Sequence, residues 1–304
     1  MKNTQMKTLM EIFNSHINED AKITSYEHPG CHMINKEIMT AIADEIVDAI
    51  KTKTLRTDDL HFRIDYNKPT SKNGNTKLKG IIYIASHPLI DCYLDGLDRT
   101  KPSCSGLFHW CYVFSDFFYK SFGKQLSMFT NSIMYLLEPE RTKAEIKTWL
   151  VNNRKKFIPD RNGHVALRID EAGDITYSLS LWLELAKELE SEMPEIKLYA
   201  YTKQFDLLNG LDYCINKTFS NFRILLSDST KDDPNPISKV REDYGSFAIR
   251  FKDDKLTPDS VIALTKLANF NLHRCPGVKM GCYKCTKCSE AETETTKVIV
   301  ADEH

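Results

Sequence analysis

Apolar residues recur at helical spacing in two N-terminal stretches. Met6, Leu9, Ile12, Phe13 and Ile17 mark residues 5–18, and Ile38, Met39, Ile42, Ile46 and Ile50 mark residues 36–51. Spacings of three and four put each set on one face, so both stretches read as amphipathic helices whose apolar stripes are core. Phe62, Ile64 and Tyr66 then alternate with polar residues over 61–67, the pattern of a strand. A polar stretch containing Asn73-Gly74 leads into the apolar run Gly-Ile-Ile-Tyr-Ile-Ala at 80–85, a second strand. Residues 107–157 are rich in aromatics and predict mostly helix.

From residue 164 the pattern switches repeatedly between the two periods. Strands are expected at 164–170, 195–201, 221–226 and 245–251. Helices are expected at 178–192, where Leu179, Leu181, Trp182, Leu185 and Leu189 form the stripe, and at 204–215. Thr257-Pro258 supplies an N-cap and first-turn pair for a helix running to about residue 270. Strand–helix–strand alternation with short connections implies right-handed crossovers and a mostly parallel sheet. The fold class is α/β: a complete or partial (β/α) barrel-like parallel sheet, or an open doubly wound one. The expected divisions are an N-terminal helical extension (1–60), the α/β domain (61–270), a Cys-rich metal or cluster segment (271–288) and an acidic disordered tail (289–304).

Composition fits a folded soluble protein: 304 residues, 41% hydrophobic, 27% charged, net charge −1. The tail 289–304 holds five acids and one lysine, a net of −4, against which the rest of the chain is +3. A mildly basic body does not demand nucleic acid, although it leaves nucleic acid open as a partner. No apolar run reaches the roughly 18 residues that cross a bilayer, so no membrane partner is expected. The N-terminus MKNTQMKTLMEIF lacks both a continuous apolar segment and a small-residue cleavage site, which points to the cytoplasm.

Nine cysteines are unusual for such a chain. Without an export signal, disulfides are the weaker reading. Four of the nine fall in Cys275-Pro-Gly-Val-Lys-Met-Gly-Cys282-Tyr-Lys-Cys285-Thr-Lys-Cys288. Cys282, Cys285 and Cys288 follow C-x2-C-x2-C, a spacing that can cap three irons of a cubane cluster, with Cys275 available as a fourth ligand. A structural zinc needs the same number of thiolates but more often uses two separated knuckles. Lys279, Lys284 and Lys287 interleave with the cysteines and can offset the charge of a thiolate-bound centre. Upstream, Cys104-Ser-Gly-Leu-Phe-His-Trp-Cys111-Tyr repeats the form C-x-G-x4-C-Y found at Cys275–Tyr283. Cys104 and Cys111 are therefore candidate ligands, with ordinary buried thiols beside Phe108 and Trp110 as the alternative.

Parallel α/β sheets bind ligands at the carboxyl ends of their strands. Three successive ends carry Asp170 and Asp174, Thr202 and Lys203, and Ser227 with Asp228. Gly173 allows close backbone approach to a ligand. Each polar residue alone reads as a turn or cap residue, and together they read as one rim. There is no G-x-S-x-G and no Walker-type G-x4-G-K-[ST] in the chain.

Gly74-Asn-Thr-Lys-Leu78, the following strand, Arg168-Ile-Asp-Glu-Ala-Gly-Asp174, the next helix and Tyr199-Ala-Tyr-Thr202 occur in one order. In these motifs the chain resembles the phage and mobile-element family called gene product eighty-eight, over roughly residues 74–290. That family pattern is itself similar to radical S-adenosylmethionine enzymes. The likeness implies a cysteine motif after the first barrel strand, at Cys104 and Cys111. It also implies an amino-group-binding motif at Ala172-Gly173-Asp174, with Asp174 in the place of a Glu. Thr202, Lys203 and Ser227 would line the cofactor cleft, and the C-terminal cysteines would hold an auxiliary cluster. Such enzymes need three cysteines in the first motif. Here an alternative register puts Ser115 at the third place, and Cys92 is wrongly spaced.

Three functions follow as expectations. The first is an iron–sulfur, S-adenosylmethionine-using enzyme of phage type, in the host cytoplasm if phage-encoded, acting on a nucleotide, nucleic acid or peptide. The second is a zinc-stabilised, transglycosylase-like nucleic-acid-modifying protein with Asp170 and Asp174 as catalytic carboxylates. The third is a non-enzymatic interaction protein stapled by its metal.

Overall fold

The structure is a computed structural model that describes residues 6–17, 23–24, 32–33, 36–70, 78–90, 113, 121–202, 211–229, 246–250, 271–275, 282–289 and 297–302. The chain divides into two compact units. One comprises residues 1–63 and 85–146, the other residues 64–84 and 147–304. The expected divisions placed 61–270 in one domain, but the sheet strands at 64–84 and the helices at 85–146 fall in different units. Among the described residues, no helix is long and apolar enough to cross a membrane.

The first unit is helical. Helix α1 (Leu9–His16) opens with a capping box, in which Thr8 and Glu11 each bond the other's backbone N–H. Helix α2 (Lys36–Lys51) and helix α3 (Phe122–Leu137) carry the other buried stripes. Phe13 meets Phe122 and Phe129 edge-on, with ring centroids 5.5 Å apart in each pair. His87 stacks on Phe129 at 3.8 Å and pairs through Nε2 with Gln125 Oε1 at 2.8 Å. Complete burial pushes its pKa down to about 3, so this imidazole is a neutral core group. A two-strand ladder, β1 (Ile23–Thr24) with β2 (His32–Met33), also belongs here.

The second unit is a mixed α/β layer built on a parallel-rich sheet. Its strands are β3 (Asp65–Tyr66), β4 (Ile82–Tyr83), β5 (Val165–Ile169), β6 (Ile196–Thr202), β7 (Phe222–Ser229), β8 (Ser246–Arg250), β9 (Asn271–Arg274) and β10 (Lys297–Asp302). Their spatial order is β3-β4-β5-β6-β7-β8-β10-β9. Among the described pairs of this sheet, only β3–β4 is antiparallel. Helix α4 (Pro139–Asn153) enters this unit from Lys147 onward. Helix α5 (Leu179–Glu192) joins β5 to β6, and helix α6 (Leu211–Thr218) precedes β7. The helix expected at 257–270 lies outside the described residues.

The strand order explains which face each connection covers. From β5 to β7 every step moves in one direction, so right-handed crossovers put α5 and α6 on one face. That face is aliphatic: Val165, Leu167 and Ile169 of β5, Ile196, Leu198 and Ala200 of β6, and Phe222 and Ile224 of β7 are all buried. Leu181, Trp182, Leu185 and Leu189 of α5 are buried as well, and Asn221 Nδ2 donates to the α5 carbonyl of Ala186 at 2.9 Å. The step from β9 to β10 runs backwards, because β10 lies between β8 and β9. The same handedness favours the opposite face for its connection, and the described Cys275, Cys282 and Cys288 pack there. That connection is the Cys-rich segment.

One expectation is corrected here. Residues 289–304 were expected to be a disordered tail because of their acids, yet Lys297–Asp302 is strand β10 in the sheet. Val298, Ile299, Val300 and Ala301 form a short β-prone run, and Ile299 is fully buried in the core. A charge count over the whole stretch averages that run away.

Candidate functional site

Side chains alternate along a strand, so residues out of phase with the aliphatic face point to the other one. Register aligns Tyr83, Arg168, Tyr199 and Arg223 in one row across β4, β5, β6 and β7. Tyr201 lies one step nearer the carboxyl ends, beside Leu225. Leu78, Ile81, Tyr199, Leu225 and Ile299 form the core of this face, and Cys275, Cys282 and Cys288 pack against it together with Tyr83 and Tyr201.

Three ties hold the Cys-rich segment. Tyr201 Oη donates to Cys288 Sγ at 2.9 Å. A single helical turn, α7 (Cys282–Cys285), ends with the Thr286 N–H bonding the Cys282 carbonyl at 2.9 Å. Ser289 N–H then bonds the Thr286 carbonyl at 3.1 Å. Thr286 has φ +59°, a left-handed conformation that a β-branched residue adopts only where its surroundings impose it.

Burial is the main cause that pushes the Cys288 thiol well up, and Cys282, Cys275 and Cys285 add to the rise through their charge. The hydrogen bond from Tyr201 acts in the opposite sense. Burial likewise holds the Tyr199 and Tyr201 phenols well above their usual range. Cys282 and Cys288 reinforce this, and Arg168 opposes it. The Arg168 guanidinium lies over the Tyr201 ring, 4.9 Å from its centroid. The four thiols therefore share one electrostatic neighbourhood, in which Arg168 also acts on Tyr199 and Tyr201. Among the described residues, no three His, Cys, Asp or Glu side chains converge as a group able to hold a metal ion.

The expected rim is built differently. Asp170 follows β5 with φ +46°, a left-handed position that Asp tolerates, and is 3% exposed. Its Oδ2 accepts from Ser178 Oγ at 3.3 Å, just before α5. Asp174 is also 3% exposed and accepts from Thr202 Oγ1 at 2.7 Å, which ties the β5–α5 loop to the end of β6. Gly173 between them takes φ +98°, open to glycine alone. The structure thus brings Asp174, Gly173 and Thr202 together and buries Ser227 on the next strand. Lys203, Cys104 and Cys111 lie outside the described residues.

Reading the sequence by motif passed over Arg168, Glu171, Tyr199 and Tyr201 as site residues. Glu171 is buried at the carboxyl end of β5, where its N–H bonds the Ile84 carbonyl at 2.6 Å. Its charge reaches Tyr83 and Tyr199. The available signal was phase: Arg168, Tyr199 and Tyr201 fall on alternate positions opposite to the aliphatic set.

The profile of the family described as Gene product 88 matches residues 99–300. No curated protein and no solved structure matches the chain. The matched stretch contains β5 to β9, the β5–α5 loop and the whole Cys-rich segment.

Proposed function

The chain belongs to the Gene product 88 family, and on that premise we propose that it is an iron–sulfur enzyme of the radical S-adenosylmethionine-like kind on a partial barrel. Its substrate would be a nucleotide, nucleic acid or peptide. One observation carries this reading: Cys275, Cys282 and Cys288 pack on the sheet face opposite α5, where Tyr201 bonds Cys288.

The donor chemistry suits such a group, although the thiols do not converge as one ligand group in this structure. Cys275, Cys282, Cys285 and Cys288 are thiols, all partly buried, on a segment long enough to close around one centre. Arg168, Lys284 and Lys287 offset the negative charge of bound thiolates. When bound, an iron–sulfur group supplies one-electron chemistry. The chain's own part is to hold, orient and shield. Tyr201 donates to sulfur, Tyr199 and Leu225 keep water from the sheet side, and Asp174 with Thr202 fixes the loop that carries Gly173. In this reading the bare Gly173 backbone, Thr202, Lys203 and Ser227 accept S-adenosylmethionine. Asp170 then sets the loop by its bond to Ser178.

Anaerobic purification followed by reconstitution with iron and sulfide tests the proposal. A brown protein with broad visible absorption, stoichiometric iron and sulfide, and turnover of S-adenosylmethionine is expected. A colourless protein that retains only zinc would replace it with the zinc-stabilised reading.

A further inference from the structure

We propose that the amino-terminal rim of β4, β5 and β6 is a docking surface for single-stranded nucleic acid, held through its phosphates by Lys68, Lys155, Lys156 and Arg161. The inference goes beyond the reading above and does not rest on it, because it uses neither the cysteines nor a bound group.

Topology brings these cations to one end of the sheet. Helix α4 ends at Asn153 and runs directly into a 3-10 turn, Arg154–Lys156, whose three residues are all basic and exposed. Arg154 pairs at 2.6 Å with Glu195, the residue just before β6, which fastens the turn to the rim. The following loop carries exposed Arg161 and enters β5 at Val165. Because β3 is antiparallel to β4, the chain leaves Tyr66 at this same end and places exposed Lys68 there. The Ile158 N–H donates to Tyr66 Oη at 2.9 Å, and the Tyr66 and Phe157 rings meet edge-on at 5.2 Å, so the two stretches are neighbours.

Nearby acids do not cancel this charge. Between residues 151 and 164 the only acid is Asp160. Its Oδ1 accepts the N–H groups of Asn162 and His164 within its own turn, at 2.7 and 2.9 Å. Glu188 and Glu192 of α5 pair with Lys147 at 2.7 and 2.8 Å. Among the described residues, Lys68, Lys155 and Lys156 have no carboxylate within ion-pair range. The carbonyls that end α4 favour nearby cations, which accounts for the 3-10 turn alone. Lys68 and Arg161 lie on other elements.

Cations gathered on one face are the electrostatic footprint of a phosphate backbone. Among the described residues the rim is built of turns, with no helix laid along it to enter a groove of a duplex. Ile158, 43% exposed, and the exposed Asn152 and Asn162 stand among the cations and offer apolar and amide contacts to unstacked bases. A lipid surface calls for more exposed apolar area than Val151 and Ile158 supply.

The full chain, metal-free, is titrated onto fluorescein-labelled single-stranded DNA and RNA of one mixed sequence, with anisotropy as the readout. A dissociation constant of about 1–100 μM is expected at physiological salt, rising steeply as salt is added. Lys155→Ala, Lys156→Ala and Arg161→Ala together should weaken binding by at least about tenfold. They should also lower the salt slope by about two, since each single-strand phosphate contact contributes about 0.7. Circular dichroism checks that this variant is folded. A control that removes three exposed lysines elsewhere, Lys51→Ala, Lys187→Ala and Lys217→Ala, should keep the wild-type affinity and slope. Duplex DNA, polyglutamate, and vesicles of equal parts phosphatidylcholine and phosphatidylglycerol serve as rival partners.

Wild-type affinity and slope in the rim variant would overturn the proposal, as would an equal loss in the control. Absence of binding to both single strands, or tighter binding to any rival partner, overturns it too. A preference for RNA over DNA, or the reverse, upholds it and assigns the sugar. Iron content enters none of these readouts, so the fate of the iron–sulfur reading is decided separately.

Discussion

Along β6, Ile196, Leu198 and Ala200 face the helices, while Tyr199 and Tyr201 face the Cys-rich segment. One strand thus serves two environments. The helix face is uniformly apolar, so its stability comes from area removed from water and is insensitive to which aliphatic residue supplies it. The opposite face holds phenols, a guanidinium and sulfur, whose contributions depend on donor, acceptor and charge. The contrast teaches that the first face decides whether the unit folds and the second decides what the folded unit can bind.

The largest expected effect breaks the first face alone. Among the described residues, Trp182 is the largest fully buried side chain. Trp182→Ala should cost about 3–5 kcal/mol in denaturant unfolding. The fraction that remains folded should still take up iron to the wild-type ratio, and a parallel loss of iron would merge the two faces into one system. Asp174→Ala comes next, with an expected loss of about 1–3 kcal/mol because the buried Thr202 hydroxyl forfeits its partner. Combined with Thr202→Val it should be clearly non-additive in a double-mutant cycle. Unchanged stability with abolished turnover would instead make Asp174 a chemical group.

Alkaline pH sharpens the contrast. Burial is the first cause holding the Tyr199 and Tyr201 phenols well above their ordinary value of 10.0, and Tyr83 shifts the same way. A raised folded-state pKa means that the unfolded chain releases its protons first as pH rises. Their contribution is therefore whole below pH 10.0 and lost above it. The urea midpoint should fall above that pH, and the Tyr199→Phe, Tyr201→Phe double variant should flatten the fall. No residue of the helix-facing set titrates there. The smallest effect is that of Arg168→Met on stability, about 0.5–1 kcal/mol for the lost contact over Tyr201. A thermal melt reads it.

Much of the second unit was legible in the chain. β5, α5, β6 and β7 follow their period-2 and helical patterns to within a few residues, because each is a local pattern with a buried side. The Cys run stood out in the sequence because four thiols fall in so short a stretch. Its seat did not, because that depends on β10 pairing between β8 and β9, a long-range event with no local mark. Tyr199 and Tyr201 read as core because a strand buried on both faces shows apolar residues at every position. Asp170 and Asp174 stood out as polar residues after a strand. Their hydroxyl partners, Ser178 and Thr202, are what turn them toward the loop itself.

The reversed strand order also sets an order of events during folding. Among the described residues, β9 pairs only with β10, and β10 is also the partner of β8. Until β10 slides between them, β8 ends in an open edge and β9 has no place in the sheet. The thiols then sit on a connection fastened at neither end, accessible from every side. Pairing of this one six-residue strand covers the β8 edge and seats β9, and the connection that it fastens carries Cys288 to Tyr201.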